Sequence, residues 1–374
     1  MSDPSARVLG ELSRISTFFP ILPELGNRWA ASRPWDGLTV ALHLHLTTLT
    51  AALVRELIIG GGRWICSAAN HSTTDPGVVG WLRELGVEVH SGGGIEDGVR
   101  ASIDAAPDLF ADVGFTLGGA AIAAGARPRA GVEITRSGIT RIRSLGPLPF
   151  PVMNINDGRL KPAVENRHGV DEGLWAGFTQ LTGIHLAGHR VSVIGYGPVG
   201  AGVAAYARAA GAVVEVLERD PVRRLIAHYD GFLTPPSPEM VRRAQIIVTA
   251  TGTRHSLPLS ILRETRDGVI LINAGHGSEE IDIDVLRGEA EGIDHVSPRV
   301  VRYRLPGRTL SVLADGNPLN IVLNSGSQEP VLLHFAVLGL ALEWLAGNET
   351  PPGELALPAA IEEDASRVAL SILA

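Results

Sequence analysis

Val191-Ser192-Val193-Ile194 is an apolar run of strand type that feeds straight into Gly195-Tyr196-Gly197-Pro198-Val199-Gly200 and then into an alanine-rich helical stretch. Few short patterns constrain a chain so tightly. Gly195 permits the tight turn out of the strand, Gly197 lets the backbone approach a pyrophosphate, and Gly200 lets the helix pack closely on the strand. Pro198 and Val199 count with the glycines as cofactor contacts, and the free N–H groups at the N-terminus of the helix that follows suit phosphates. The next strand, over 213–217, ends at Glu218. A carboxylate there accepts hydrogen bonds from the adenosine ribose of NAD and repels the extra phosphate of NADP, a preference that Arg219 weakens slightly. The order of strand, glycines, helix, strand and acid predicts a doubly wound domain that binds NAD. Thr249-Ala250-Thr251-Gly252 and Asn273-Ala274-Gly275-His276 follow two further strands, at the carboxyl edge where ligands sit. His276 there reaches the nicotinamide or a substrate, or else bonds only within its loop.

A chain of 374 residues, 45% apolar and 19% charged, has room for two such α/β domains and excludes a disordered or fibrous protein. The net charge of −8 and the lack of any long Lys/Arg block argue against nucleic acid or an anionic membrane as a partner. Cys66 is the only cysteine, so one chain has neither a disulfide nor a thiolate metal cage, and no ligand cluster suggests a metal. No apolar signal core and no run of about 18 apolar residues is seen, so a soluble, cytoplasmic protein is expected. The basic residues are 31 arginines and one lysine, Lys161. Arginine stays protonated whereas lysine can lose its proton, so the lone lysine marks either chance or a position where arginine cannot serve.

The first residues read as an irregular start dotted with aromatics (Phe18, Phe19, Trp29, Trp35). From 38 to 114 short apolar runs alternate with helical patterns. Helices are expected over 49–59 and 76–85, and strands over 64–67, 87–90 and 109–113, the cadence of a parallel sheet. The Pro-, Gly- and Asn-rich stretch 145–172 reads as a linker or functional loop. A second series follows, with strands at 190–194, 213–217, 245–250 and 269–273 and a helix over 201–210. A largely apolar helix over 331–345 is expected to be buried. Beyond Pro351-Pro352-Gly353 a short charged tail is expected.

The glycine segment with Glu218-Arg219-Asp220-Pro221, the stretch Asn154-Ile155-Asn156-Asp157 followed by Lys161 and Asn166, and Asn273-Ala274-Gly275-His276 with Glu280-Ile281-Asp282 resemble the S-adenosyl-L-homocysteine hydrolase family. So do Arg302-Tyr303-Arg304-Leu305 and Ala314-Asp315-Gly316 leading to Asn320. The resemblance spans about 38–345. It implies a Rossmann NAD-binding domain (161–326) inserted into a flavodoxin-like substrate domain (1–160, with a return segment and tail at 327–374). It also implies a homo-oligomer acting on a nucleoside-like small molecule. The family oxidises a ribose 3′-hydroxyl, which acidifies the neighbouring C4′–H, eliminates the 5′-thiol, adds water and reduces the ketone again. Lys161 falls on the lysine that helps deprotonate the 3′-hydroxyl. Asn166 matches an asparagine near the nicotinamide, and His276 matches a histidine near the 3′ carbon. His45 and Asp112 match the pair that handles protons near C4′ and the 5′ position. Thr135 and Ser137 join Thr251, Gly252, Ala274, Gly275 and Asn320 as cofactor contacts, and Thr47 falls among the substrate contacts.

Several positions depart from the family pattern. The carboxylate that reads the adenine edge is Leu49, and a hinge histidine that also contacts adenine is Ser327. The aspartate four residues after the lysine is Glu165, and a cysteine near the nicotinamide is Val170. The sugar-binding glutamate is Ile134 in direct register, or Glu133 with a shift of one. No lysine or tyrosine follows Tyr303, so the Lys/Tyr tail that covers a neighbour's NAD is missing from the sequence. Groups for redox and proton transfer persist while groups that select adenine do not, so altered base recognition is expected. A dehydrogenase or epimerase acting on another sugar-like metabolite, or a non-catalytic nucleotide-binding paralogue, stands as the alternative.

Overall fold

The computed structural model describes residues 4–275 and 278–374. They form two compact units: the chain up to Pro162 together with Gln328–Ala374, and Ala163–Ser327. The second unit therefore interrupts the first.

The strands of the first unit before the interruption are β1 (Thr39–Leu44), β2 (Arg63–Ala68), β3 (Glu88–His90), β4 (Leu109–Asp112), β5 (Ala130–Glu133) and β6 (Pro151–Asn154). Those of the second unit are β7 (Arg190–Ile194), β8 (Val213–Leu217), β9 (Ile246–Thr249), β10 (Val269–Asn273), β11 (Gly292–Ser297), β12 (Val300–Leu305) and β13 (Arg308–Leu313). A last strand, β14 (Gly353–Ala356), returns to the first unit.

The first sheet is parallel throughout, in the order β14-β6-β5-β4-β1-β2-β3. Strands covered on both faces read as unbroken apolar runs, and β4, β5 and β6 are buried along their whole length. The stretch expected to be a linker or functional loop contains the boundary between the two units, at Pro162 and Ala163, and its first part supplies an inner strand. Its composition disguised this, because Pro151 stands at the first position, the one place where an inner strand tolerates proline. The expected tail likewise forms β14 and the helix Ala359–Leu373.

The irregular start is two helices, Pro4–Phe18 and Ile21–Ser32. Val8, Leu12 and Ile15, then Ile21, Leu22, Leu25 and Trp29, repeat at helical spacing and are all buried. Trp29, Trp35 and Trp64 then pack edge to face, with ring centroids 5.2 and 5.3 Å apart. The helix Gln328–Gly347 packs on β4, β5 and the helix Thr48–Ile59. Contrary to the expectation from the sequence, it is long and apolar enough to cross a membrane, but 61% of that span is buried inside the fold.

The second sheet runs β11-β12-β13-β10-β9-β7-β8, with the β11–β12 and β12–β13 pairs antiparallel. This meander escaped the sequence reading because it is half exposed. Val301, Tyr303 and Leu305 point inward while Arg302 and Arg304 point out. Among the parallel strands, order reverses between β1 and β4 in the first sheet and between β7 and β9 in the second. In open α/β sheets the crevice outside the carboxyl ends of such strands is where ligands bind.

Candidate functional site

In the second unit the glycine loop leaves β7 at its switch point. Gly195 has φ +98°, a region that L side chains avoid, and a Cβ there would lie 2.7 Å from the Ala250 carbonyl oxygen. A Cβ on Gly200 would lie 2.0 Å from the Gly195 carbonyl oxygen, so only glycine lets the helix Pro198–Ala209 sit this close to the loop. Gly197 is different: only the Arg223 guanidinium, at 3.7 Å, comes near its added Cβ, so the loop is open on that side. Glu218, just past β8, accepts from Tyr196 N–H at 2.7 Å and Asp220 N–H at 2.9 Å, which fixes the carboxylate beside the loop. Arg219 is exposed.

The edge loops of this sheet are organised by a residue that the sequence reading quoted only as part of a motif. Glu280 is buried and accepts from Thr251 N–H and Oγ1, Gly252 N–H and Ser256 Oγ at 2.7–3.2 Å. Gly275 must be glycine because a Cβ would fall on Glu280 Oε1. Ala274 N–H donates to Thr249 O, and Gly275 N–H to Asn273 Oδ1. Asn320 Oδ1 is buried without a hydrogen-bond partner, an orphan acceptor of the kind a ligand completes. Ser327 N–H donates to Gly169 O at the end of this unit. Glu165 closes a single π turn, Lys161–Glu165, and Asn166 begins the helix Asn166–His168. His276 lies outside the described residues. The open glycine loop, the anchored Glu218 and the orphan Asn320 acceptor fit a bound dinucleotide.

In the first unit His45 follows β1 and Asp112 ends β4, so the two flank the switch point of that sheet. His45 thus stands just past a strand end. His43 is buried against Ser67 Oγ at 2.9 Å, and burial together with the His45 charge holds its pKa down to about 4. His45 Nδ1 is 2.7 Å from Thr73 Oγ1. Asp112 is fully buried. Gly118 N–H donates to Oδ2 at 2.8 Å, and Oδ1 has no hydrogen-bond partner. Burial, and then the nearby Glu133, push its carboxyl well above the ordinary range.

Glu133 does not stand free for a sugar. It is buried, and Oε1 accepts from Gly114 N–H, Thr135 N–H and Thr135 Oγ1 while Oε2 accepts from Phe115 N–H. Its carboxylate ties the β4 and β5 loops together. Thr135 caps the helix Arg136–Leu145 and bonds Ser137 Oγ at 3.1 Å, so both hydroxyls belong to the first unit and not to the unit with the glycine loop. Thr47 caps the helix Thr48–Ile59, and Leu49 is buried in that helix's first turn within the core. Lys161 is nine-tenths buried. Its positive charge acts on His334, a buried histidine of the helix Gln328–Gly347 that the sequence reading passed over. Among the described residues no cluster of three His, Cys, Asp or Glu side chains could hold a metal.

The raised Asp112 carboxyl carries a prediction. A carboxyl whose folded pKa is raised contributes stability below its unfolded pKa of about 3.8 and loses it as pH rises. At neutral pH the burial is therefore a burden. Asp112→Asn is expected to raise stability at pH 7 by ~1 kcal/mol, with little gain at pH 3, read from melting curves at both pH values.

The family model for the NAD-binding domain of S-adenosyl-L-homocysteine hydrolase matches residues 166–326. The S-inosyl-L-homocysteine hydrolase of Methanopyrus kandleri is 33% identical over 388 aligned positions, covering 98% of this chain and 90% of that protein. The adenosylhomocysteinase of Pyrobaculum aerophilum is 30% identical, covering 95% and 89%. That of Pyrococcus abyssi is 32% identical, covering 95% and 88%. With this likeness running through both units and the dinucleotide cradle in place, the chain belongs to the S-adenosyl-L-homocysteine hydrolase family and carries its NAD-binding domain.

Proposed function

We propose that this protein hydrolyses a 5′-thioether nucleoside of the S-adenosyl- or S-inosylhomocysteine kind and has lost the family's selection for adenine. The observation that carries the reading is the placement of His45 and Asp112 at the carboxyl ends of β1 and β4, on either side of the first sheet's switch point. When bound, NAD supplies a reversible hydride acceptor for a secondary alcohol. Lys161 takes the proton of the 3′-hydroxyl; it opens the π turn that Glu165 closes, and Asn166 begins the helix that follows. His45 and Asp112 exchange protons near C4′ and the 5′ position, where a thiol leaves and water enters. His276 is assigned to the neighbourhood of the 3′ carbon.

Leu49 and Ser327 bear on the base. A carboxylate in the Leu49 position would accept from an exocyclic amine and repel a 6-oxo group, and an apolar side chain does neither. The relative named for S-inosyl-L-homocysteine accords with this. Self-association of the chain accords with the exposed Val222, Leu225, Ile226 and Tyr229 along the helix Pro221–Tyr229, and light scattering reads it directly.

Homocysteine release is measured with both thioethers. The S-inosyl substrate is expected to turn over at least as well as the S-adenosyl one, and Leu49→Glu to shift the ratio toward adenine by about 10-fold. Release from neither substrate overturns the reading, and an adenine preference already present in the unaltered protein overturns its base assignment.

A further inference from the structure

The helix Gln328–Gly347 carries a single histidine, His334, in an otherwise apolar stretch. Its residue is 3% exposed, and neither Nδ1 nor Nε2 has a hydrogen-bond partner. A dry imidazole with both nitrogens unmet is costly, so a fold keeps one where something absent from the bare chain completes it. The helix packs on β4 and β5, the strands that end in Asp112 and Glu133. Burial first, and the Lys161 charge second, hold the imidazole well below its ordinary value. The ring is thus neutral, with one donor and one acceptor, and a hydroxyl group offers the same pair. The first unit's carboxylate nearest in sequence to a sugar role, Glu133, has both oxygens engaged by its own loops.

We propose that His334 binds the ribose 2′-hydroxyl, the cis neighbour of the hydroxyl that Lys161 deprotonates. The assignment rests on the functional reading above and adds a specificity residue to it. A ligand hydroxyl satisfies a nitrogen that the fold leaves bare, and a substrate lacking that hydroxyl leaves the nitrogen bare again.

The test compares kcat/KM for S-inosylhomocysteine and S-adenosylhomocysteine with that for their 2′-deoxy counterparts. The unaltered protein is expected to favour the ribo forms by about 10- to 100-fold. His334→Leu is expected to narrow that preference to about threefold or less, while His334→Gln, which keeps a donor and an acceptor, retains most of it. Melting temperature and NAD binding by the second unit report folding. An unaltered protein indifferent to the 2′-hydroxyl overturns the assignment without any variant. So does a His334→Leu protein in which ribo and deoxy substrates fall by the same factor, the mark of a ring completed by buried water alone. If the unaltered protein releases homocysteine from none of the substrates, the functional reading fails and this assignment fails with it. Selective failure of the hydroxyl comparison leaves that reading standing.

Discussion

Replacing Lys161 with arginine is expected to abolish reduction of bound NAD, by about 10²–10⁴-fold in the first-turnover rate. A general base must give up its own proton before it can take one from an alcohol, and guanidinium does not do so in proteins. Composition sharpens the test. A chain with 31 arginines and one lysine already uses arginine wherever a fixed positive charge is enough. Lys161 is also nine-tenths buried at the first position of a π turn, an irregularity that recurs at functional sites and leaves little room for a longer, planar head group. The rate is read as absorbance at 340 nm after mixing holoenzyme with substrate. Cofactor retention, measured on denatured protein, separates lost chemistry from lost NAD. Turnover that survives the substitution would remove Lys161 from the proposed base role.

Gly200→Ala is expected to cost about 1–3 kcal/mol of stability and at least about 100-fold in NAD affinity. Its Cβ would meet the Gly195 carbonyl oxygen at 2.0 Å, a backbone atom that no rotamer change can move aside. The helix Pro198–Ala209 must then lift from β7 and carry the N–H groups of its first turn away from the phosphates. Gly197→Ala is the matched control. In the free chain its Cβ approaches only the Arg223 guanidinium, at 3.7 Å, so stability should change by less than about 0.5 kcal/mol. NAD affinity should still fall, because the methyl stands where the backbone must approach the pyrophosphate. Melting curves and fluorescence titration with NAD distinguish the two. Equal effects of both substitutions on melting would mean that the loop is not packed in this way.

The second unit was the more legible of the two. The expected strands 190–194, 213–217 and 269–273 coincide with β7, β8 and β10, and the glycine spacing located the turn with φ +98°. These features are local: a strand, a turn and a helix start are specified by residues within a dozen positions of one another. The first unit was less legible because its strands are short and parallel, with partners far along the chain. β6 pairs with β14 across the whole inserted unit, and no periodicity within Pro151–Asn154 announces that.

The sequence by itself determined the dinucleotide cradle and singled out the lone lysine, because backbone conformation and side-chain chemistry at those positions do not wait on distant partners. Tertiary structure decided the surroundings of Glu133, Asp112 and His334. The sequence left Glu133 and Ile134 as alternatives for a sugar contact, and folding tied Glu133 to Gly114 and Phe115. The Asp112 carboxyl was pushed above its ordinary range only when β4 was buried beside β5. His334 looked like part of an apolar helix until packing removed its water and left both nitrogens unmet. Burial and the meeting of residues distant in sequence set the protonation and free valence of a side chain, and both arise only when the sheet closes.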